Sequence, residues 1–296
     1  MSQEVLAIDS QVLNMYELCH RKTKYYFVDG ARPMIKEAAF DKGGLLHDIL
    51  KVHYLGIKQD TARIQEMFGN IELEFPEHLD YPTIMSLAKK YGNLRAVNTD
   101  LPMEDCMMVM ATYVEYANYY RGETWLPQIV EQPFSVVLYE EPDIKILYEG
   151  ITDLVTQDSI VDHKSSSRRG EPHTLSNQFI GYCWAFNINN IVINKVGFQK
   201  TLKAKDKFER YTKSYPKSLR EEWREHAITR AIQLYHDLKD TKKMETDFNF
   251  TACDKYSGCV FTQVCTTEPE ARDWKLRNKY LLKQEWNPAK ELEKEK

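Results

Sequence analysis

The chain has 296 residues, 43% hydrophobic and 28% charged, enough apolar material for one large core or two small ones. A formal net charge of -4 gives no global attraction to a polyanion, so any nucleic-acid binding must come from local patches. The opening MSQEVLAIDS lacks the charged start and apolar stretch of a signal peptide. The most apolar stretch, Phe179–Ile193, contains Asn187, Asn189 and Asn190 and is too short to span a bilayer, so a cytoplasmic protein without a membrane partner is expected. Six cysteines in such a compartment imply metal binding or burial instead of a disulfide framework.

Asp9 or Ser10 suits the cap of a helix through Val12, Met15, Tyr16 and Cys19. The following HRKTKYYF sets Arg21, Lys22 and Lys24 beside Tyr25, Tyr26 and Phe27, which fits either a nucleic-acid backbone or a helix end docking its aromatics into the core. Gly43 and Gly44 are expected to open a helix, LLHDILKVHYL, with His47 on its first turn. From Ile57 to Gly122 the pattern is mainly helical; the clearest helix starts near Pro102 and carries Met107, Met110, Ala111, Val114 and Ala117, with the methionines filling core. The period then changes to strand over 134–139, 145–157 and 159–165, with a buried helix over 175–186 and another strand over 190–201. That order describes an α/β sheet with helices packed on it. Lys195, Lys200, Lys203, Lys205, Lys207, Arg210 and Lys213 make a basic run, a solvated face unless it borders the acidic hairpin described next, where it would be a DNA track. Ser218–Asp240 reads as a long helix, and the tail from Lys283 is expected to fray.

The chemistry concentrates in EGITDLVTQDSIVDHK, Glu149 to Lys164. Two strands turning at Gln157-Asp158 pair Asp153 with Asp162, and side-chain alternation sets Glu149, Asp153, Asp162 and Lys164 on one face. Opposed carboxylates repel unless a cation sits between them or one is neutralised. A divalent metal fits there, with Lys164 near a water on it. The same pattern also describes a solvated hairpin face with one ion pair.

A second cluster is CDKYSGCVFTQVC, in which Cys253, Cys259 and Cys265 fall at C-x5-C-x5-C and Gly258 allows a tight turn. Cys106 and Cys183 sit in apolar helical patterns and are expected to be buried, which leaves Cys19 as the best fourth ligand. Four thiolates accept zinc or an iron-sulfur cluster, and three buried, unligated cysteines are the plainer alternative.

Taken together, these residues resemble the PD-(D/E)XK nuclease superfamily, specifically its RecB-like exonuclease branch. The resemblance rests on GGLLH ending at His47, on Asp153, on the DHK of Asp162-His163-Lys164, and on the Q-x-x-x-Y of Gln178 and Tyr182. Some members, of the CRISPR-associated and AddB types, carry a [4Fe-4S] cluster on one early and three late cysteines, similar to Cys19, Cys253, Cys259 and Cys265. This chain departs from the pattern in having His20 where the family often has proline, and in a wider gap between the first two late cysteines. It has no phosphate loop of a helicase motor.

The resemblance implies a mixed central sheet flanked by helices. It divides the chain into N-terminal helices (1–56), a helical insertion (57–125), a nuclease core (126–250) and a C-terminal cysteine segment (251–296). It further implies hydrolysis of DNA, most often from ends. His47, Asp153, Asp162 and the main-chain carbonyl of His163 would hold Mg2+ or Mn2+, Lys164 would act on the attacking water, and Gln178 and Tyr182 would orient the strand. Glu149 would reach a second metal through water. Two other readings are a catalytically inactive DNA-binding accessory protein of the same fold and a zinc-stapled interaction module.

Overall fold

The computed structural model describes residues 3–34, 38–165, 175–199, 203–253 and 258–283, with residues 38–41 described by their backbone alone. Lys200, the end of the strand expected to reach residue 201, and the tail beyond Lys283 lie outside the described residues.

The chain opens with a strand that its short apolar run did not announce, β1 (Glu4–Ile8), followed by helix α1 (Ser10–Leu18). Asp9 caps that helix by accepting the Val12 N–H at 2.7 Å. Tyr25 and Phe27 are buried, so the aromatics beside the basic residues serve the core. After β2 (Ala31–Pro33) comes α2 (Ala38–Ile57), and here an expectation fails: Gly43 and Gly44 lie inside the helix and do not open it. A Cβ at Gly43 would come within 2.7 Å of Ser165 Oγ, so this glycine serves close approach to the acidic hairpin.

Three further helices follow, α3 (Thr61–Phe68), α4 (Tyr81–Val97) and α5 (Met103–Tyr119). On α5 the buried face is Cys106, Val109, Thr112, Tyr113, Tyr116 and Ala117, while Met107 is 65% exposed and fills no core. The run of methionines concealed this face, because the large buried side chains are tyrosines whose hydroxyls find partners inside.

Strands β3 (Ile129–Glu140), β4 (Ile144–Val155) and β5 (Ser159–Ser165) lead to helix α6 (Asn177–Ala185), then β6 (Asn190–Val196) and β7 (Phe208–Ser214). Helix α7 (Lys217–Lys239) and, near the C-terminus, α8 (Arg272–Lys279) and β8 (Tyr280–Leu282) complete the set used below. The six-stranded sheet is mixed: β4 pairs parallel with β1 and antiparallel with β3 and β5, β5 pairs parallel with β6, and β6 antiparallel with β7.

Alternation along the central strands divides the core. Ile160, Ile191 and Ile193 pack with α1, α6 and α7, whereas Val161, Val192 and Val196 pack with α2, α4 and α5. The three isoleucines are fully buried, each contributing roughly 1.5–3 kcal/mol. The helices of residues 61–119 thus cover one face of the sheet and share its core. Among the described residues no helix is long and apolar enough to cross a membrane.

Of the basic run, Lys195 falls on β6, Arg210 and Lys213 fall on β7, and Lys203 and Lys205 are exposed just before β7. Lys195, opposite Lys164 in the β5–β6 register, is buried and paired with Glu209 at 3.1 Å. Lys207 is buried against Glu115 and Arg210 pairs with Glu123 at 2.8 Å, so these three charges are met within the fold. Charge density in sequence does not reveal such pairing, because the acidic partners come from distant segments.

Candidate metal and catalytic site

The site lies where the sheet divides. One edge of β4 is occupied by β3 from Ile129 to Glu140; on the other edge β1 takes Ile144–Tyr148, while β5 pairs only at Leu154–Val161 and Val155–Ile160. The register is the one expected from a turn at Gln157-Asp158, but β4 and β5 part before Asp153 and Asp162. Backbone groups freed by that split need partners. Side chains supply them: Asp153 Oδ2 accepts the His163 N–H at 2.6 Å, and Tyr182 Oη donates to the Ile151 carbonyl at 2.9 Å.

From the split a chain of contacts runs through four residues of the resemblance. Lys164 Nζ donates to Asp162 Oδ1 and to Gln178 Oε1, both at 3.1 Å, and Gln178 Nε2 donates to Tyr182 Oη at 3.3 Å. The i,i+4 spacing on α6 sets Gln178 and Tyr182 on one helix face, toward the split.

On the other side of Asp153 stand His47 from α2 and a residue not anticipated from sequence, Glu131 of β3. A ligand atom of each of His47, Glu131 and Asp153 lies within 4.8 Å of the others. His47 Nδ1 is 3.5 Å from Asp153 Oδ1 and 3.8 Å from Glu131 Oε1. Glu131 falls opposite Asp153 in the β3–β4 register but is skipped by the ladder, and its φ of +36° lies in the left-handed region that costs a non-glycine residue about 1–2 kcal/mol. A lone carboxylate beside Ile129 and Val130 was the available signal, and it becomes meaningful only once the strand is known to start at Ile129.

Burial and neighbouring charge pull the groups of the site in opposite directions. Burial alone would raise the Asp153 carboxyl, but the hydrogen bond and charge of His47 and the His163 N–H outweigh it and hold the group low. Asp162 is raised, first by burial and further by Asp153, with Lys164 opposing. His47 is raised despite its burial, because the Asp153 and Glu131 carboxylates hold the charged ring. Two buried oxygens, Glu131 Oε1 and Asp162 Oδ2, make no aligned hydrogen bond, although Lys164 Nζ is 3.0 Å from the latter. Carboxylates with one imidazole fit a hard divalent ion such as Mg2+ or Mn2+.

The remaining site expectations fall elsewhere. The His163 ring lies on the opposite face of β5 from Asp162, beside Asn194 Nδ2 at 2.8 Å and stacked on Tyr54, and burial keeps it neutral. Glu149 Oε1 accepts from Ser135 Oγ at 3.0 Å. The four cysteines assigned to one centre lie in the segments that join the two ends of the chain. Burial pushes the Cys265 thiol up, the Arg21 guanidinium opposes this, and nearby Cys259 and Cys19 add to the rise. The Cys259 N–H donates to the Cys253 carbonyl at 2.7 Å, next to Gly258 with φ +98°. Pairing of β2 with β8 and a small core of Tyr25, Phe261, Val264, Leu276 and Tyr280 hold the same junction. Cys106 and Cys183 are buried away from it in the two main cores. Among the described residues no three of these cysteines bring their sulfurs within 4.8 Å of one another.

No protein-family profile matches the sequence, and no curated protein matches it. Among solved structures, the chain is similar to the crystal structure of SSO0001, at 11% identity over 79% of each chain with a TM-score of 0.35. It is also similar to an alkaline exonuclease, LHK-Exo, from Laribacter hongkongensis, at 8% identity over 62% of this chain and 90% of that one, TM-score 0.32. At these scores any functional assignment rests on the residues of the site.

Proposed function

We propose that the chain is a Mg2+- or Mn2+-dependent deoxyribonuclease that hydrolyses phosphodiester bonds, acting from DNA ends in recombination, repair or DNA processing. The observation that carries this reading is the linked set Asp162, Lys164, Gln178 and Tyr182 in the strand split, together with Asp153, which accepts the His163 N–H and stands 3.5 Å from His47. His47, Asp153 and Asp162, with the main-chain carbonyl of His163 and the newly found Glu131, would hold the ion. When bound, such an ion acidifies a water and neutralises charge on the phosphate.

The residues themselves divide the remaining work. Lys164, fixed between Asp162 and Gln178, offers its ammonium protons to the attacking water or to the oxygen on which charge develops. Gln178 and Tyr182, locked to each other and to Ile151, present a rigid edge for the scissile strand. Asp153 keeps the His163 N–H satisfied, so its second oxygen stays aimed at His47.

The test is digestion of end-labelled single- and double-stranded DNA with Mg2+, Mn2+ or chelator. Release of short labelled products that depends on the ion supports the reading, and intact DNA under every condition defeats it.

A [4Fe-4S] cluster on Cys19, Cys253, Cys259 and Cys265 belongs to the same proposal, as a structural staple between the chain ends, with zinc as the alternative occupant. Anaerobically purified protein is expected to be brown and to contain iron and acid-labile sulfide in similar amounts. Cys19→Ser should lose the colour and Cys106→Ser should keep it, whereas colourless protein with one zinc per chain would replace the cluster by zinc.

A further inference from the structure

Glu131 reaches the site only because its backbone leaves the β3–β4 ladder. Val130 pairs with Leu154 and Gln132 with Thr152, while Glu131 between them adopts φ +36°. Such a conformation in a non-glycine residue relaxes unless its surroundings hold it. One side chain does so from outside the sheet. Arg63 on α3 donates from Nη1 to the Val130 carbonyl at 2.8 Å and from Nη2 to the Glu131 carbonyl at 3.1 Å. The planar fork of a guanidinium grips both carbonyls of the kink at once, which a lysine cannot do. Arg63 is itself seated in the first turn of α3, whose capping residue Asp60 accepts the Arg63 N–H at 3.3 Å.

The consequence for the site is directional. With both carbonyls held by Arg63, the Glu131 side chain lies with His47 and Asp153, and its Oε1 stays buried without a hydrogen bond. Lys51, one helical turn beyond His47 on α2, stands 3.6 Å from Oε2 and leaves Oε1 as the oxygen nearer His47. From this we infer that Arg63 is a positioning residue for the metal: it holds the strained backbone that delivers Glu131 as a ligand, so a helix remote from Asp153 and Asp162 sets the affinity of the site. The inference rests on the metal-site reading above and adds to it a residue that touches neither metal nor DNA.

The test is a double-mutant cycle on Mn2+ affinity, read by calorimetric titration with Mn2+ alone, with no DNA and no turnover. Glu131→Gln should weaken Mn2+ binding roughly 10- to 100-fold, and Arg63→Met should weaken it by a similar factor, as expected when a ligand's support is removed. In the Glu131→Gln background, Arg63→Met should add little, because its only route to the metal is already gone. Arg63→Lys keeps the cation but not the fork and should recover only part of the affinity; it also serves if Arg63→Met fails to fold. Melting without metal identifies the folded variants. Wild-type affinity in Arg63→Met or Arg63→Lys, or an equal loss from Arg63→Met in both backgrounds, would overturn the role of Arg63 and leave the metal site standing. Wild-type protein that binds no Mn2+ would overturn both.

Discussion

On β5, His163 enters a polar cluster in which every group finds a partner, whereas Asp162 and Lys164 on either side of it belong to one that is left incomplete. In the closed cluster, Asn194 bridges His163 and Tyr116, Arg210 donates to Asn194, Tyr116 and Glu123, and Tyr54 meets Tyr116 at 2.7 Å. Arg210 is also sandwiched between Tyr120 and Trp125. None of these side chains leaves a buried polar atom without a hydrogen bond, while the open cluster leaves Glu131 Oε1 and Asp162 Oδ2 without one. Buried polar groups that satisfy one another stabilise the fold, whereas unsatisfied ones cost stability, here the two carboxylate oxygens as well as the Tyr25, Tyr148 and Thr152 hydroxyls elsewhere. The closed cluster should therefore answer to mutation through stability, and the open one through chemistry.

The sharpest break of that comparison comes at Asp162. Asp162→Ala should lower DNA cleavage roughly a thousandfold or more, since several kcal/mol of charge stabilisation leave with the ligand. Melting without metal should be unchanged or higher, because a buried carboxylate facing Asp153 is gone; near wild-type cleavage would remove Asp162 from the site. Lys164→Ala follows, with a loss of roughly a hundred- to a thousandfold in cleavage but retained Mn2+ binding, measured by calorimetry. A fall in metal affinity as deep as that of Asp162→Ala would show that the lysine serves the ion and not the water.

The closed cluster should behave in the opposite sense. Arg210→Met strands the buried Glu123 carboxylate and should cost roughly 3 kcal/mol in denaturant unfolding, while cleavage per folded molecule stays near wild type. Beside that cluster, stability should also depend on pH. His53, buried edge-on to Tyr54 with Nδ1 3.1 Å from Tyr113 Oη, is held by burial at about 4, below the ordinary histidine range. The unfolded chain takes up that proton near pH 6.5 and the folded chain resists it. Stability from this residue is thus full above pH 6.5 and falls as pH drops toward 4, by up to about 3 kcal/mol. His53→Gln should flatten the stability curve in that window, and an unchanged slope would refute the assignment.

Much of this arrangement was legible in the sequence, for reasons specific to each element. The β4–β5 register followed from the spacing of Asp153 and Asp162 about a two-residue turn, and the Gln178–Tyr182 face followed from helical periodicity. Both are local, so a single period decides them. Glu131 was not legible, because its role depends on a backbone kink gripped by Arg63 from 67 and 68 residues away. The closed cluster escaped notice for the same reason: Arg210 and Glu123 are 87 residues apart, and Lys195 and Lys207 on either side of Arg210's strand read as part of a surface run until Glu209 and Glu115 pair with them. Strand β1 was missed because its four-residue apolar run, Val5–Ile8, carries little periodic signal, yet it forms one arm of the split that exposes the site.

The most direct test of the contrast is Mn2+ titration, followed by calorimetry, of wild-type protein, Asp153→Asn and Glu123→Gln. Asparagine at 153 can still accept the His163 N–H, so the split is preserved while the charge is lost. The account predicts saturable Mn2+ binding to the wild type, a loss of roughly a hundredfold in Asp153→Asn, and wild-type affinity in Glu123→Gln. Absence of Mn2+ binding in the wild type, or binding that Asp153→Asn leaves unchanged, would contradict it.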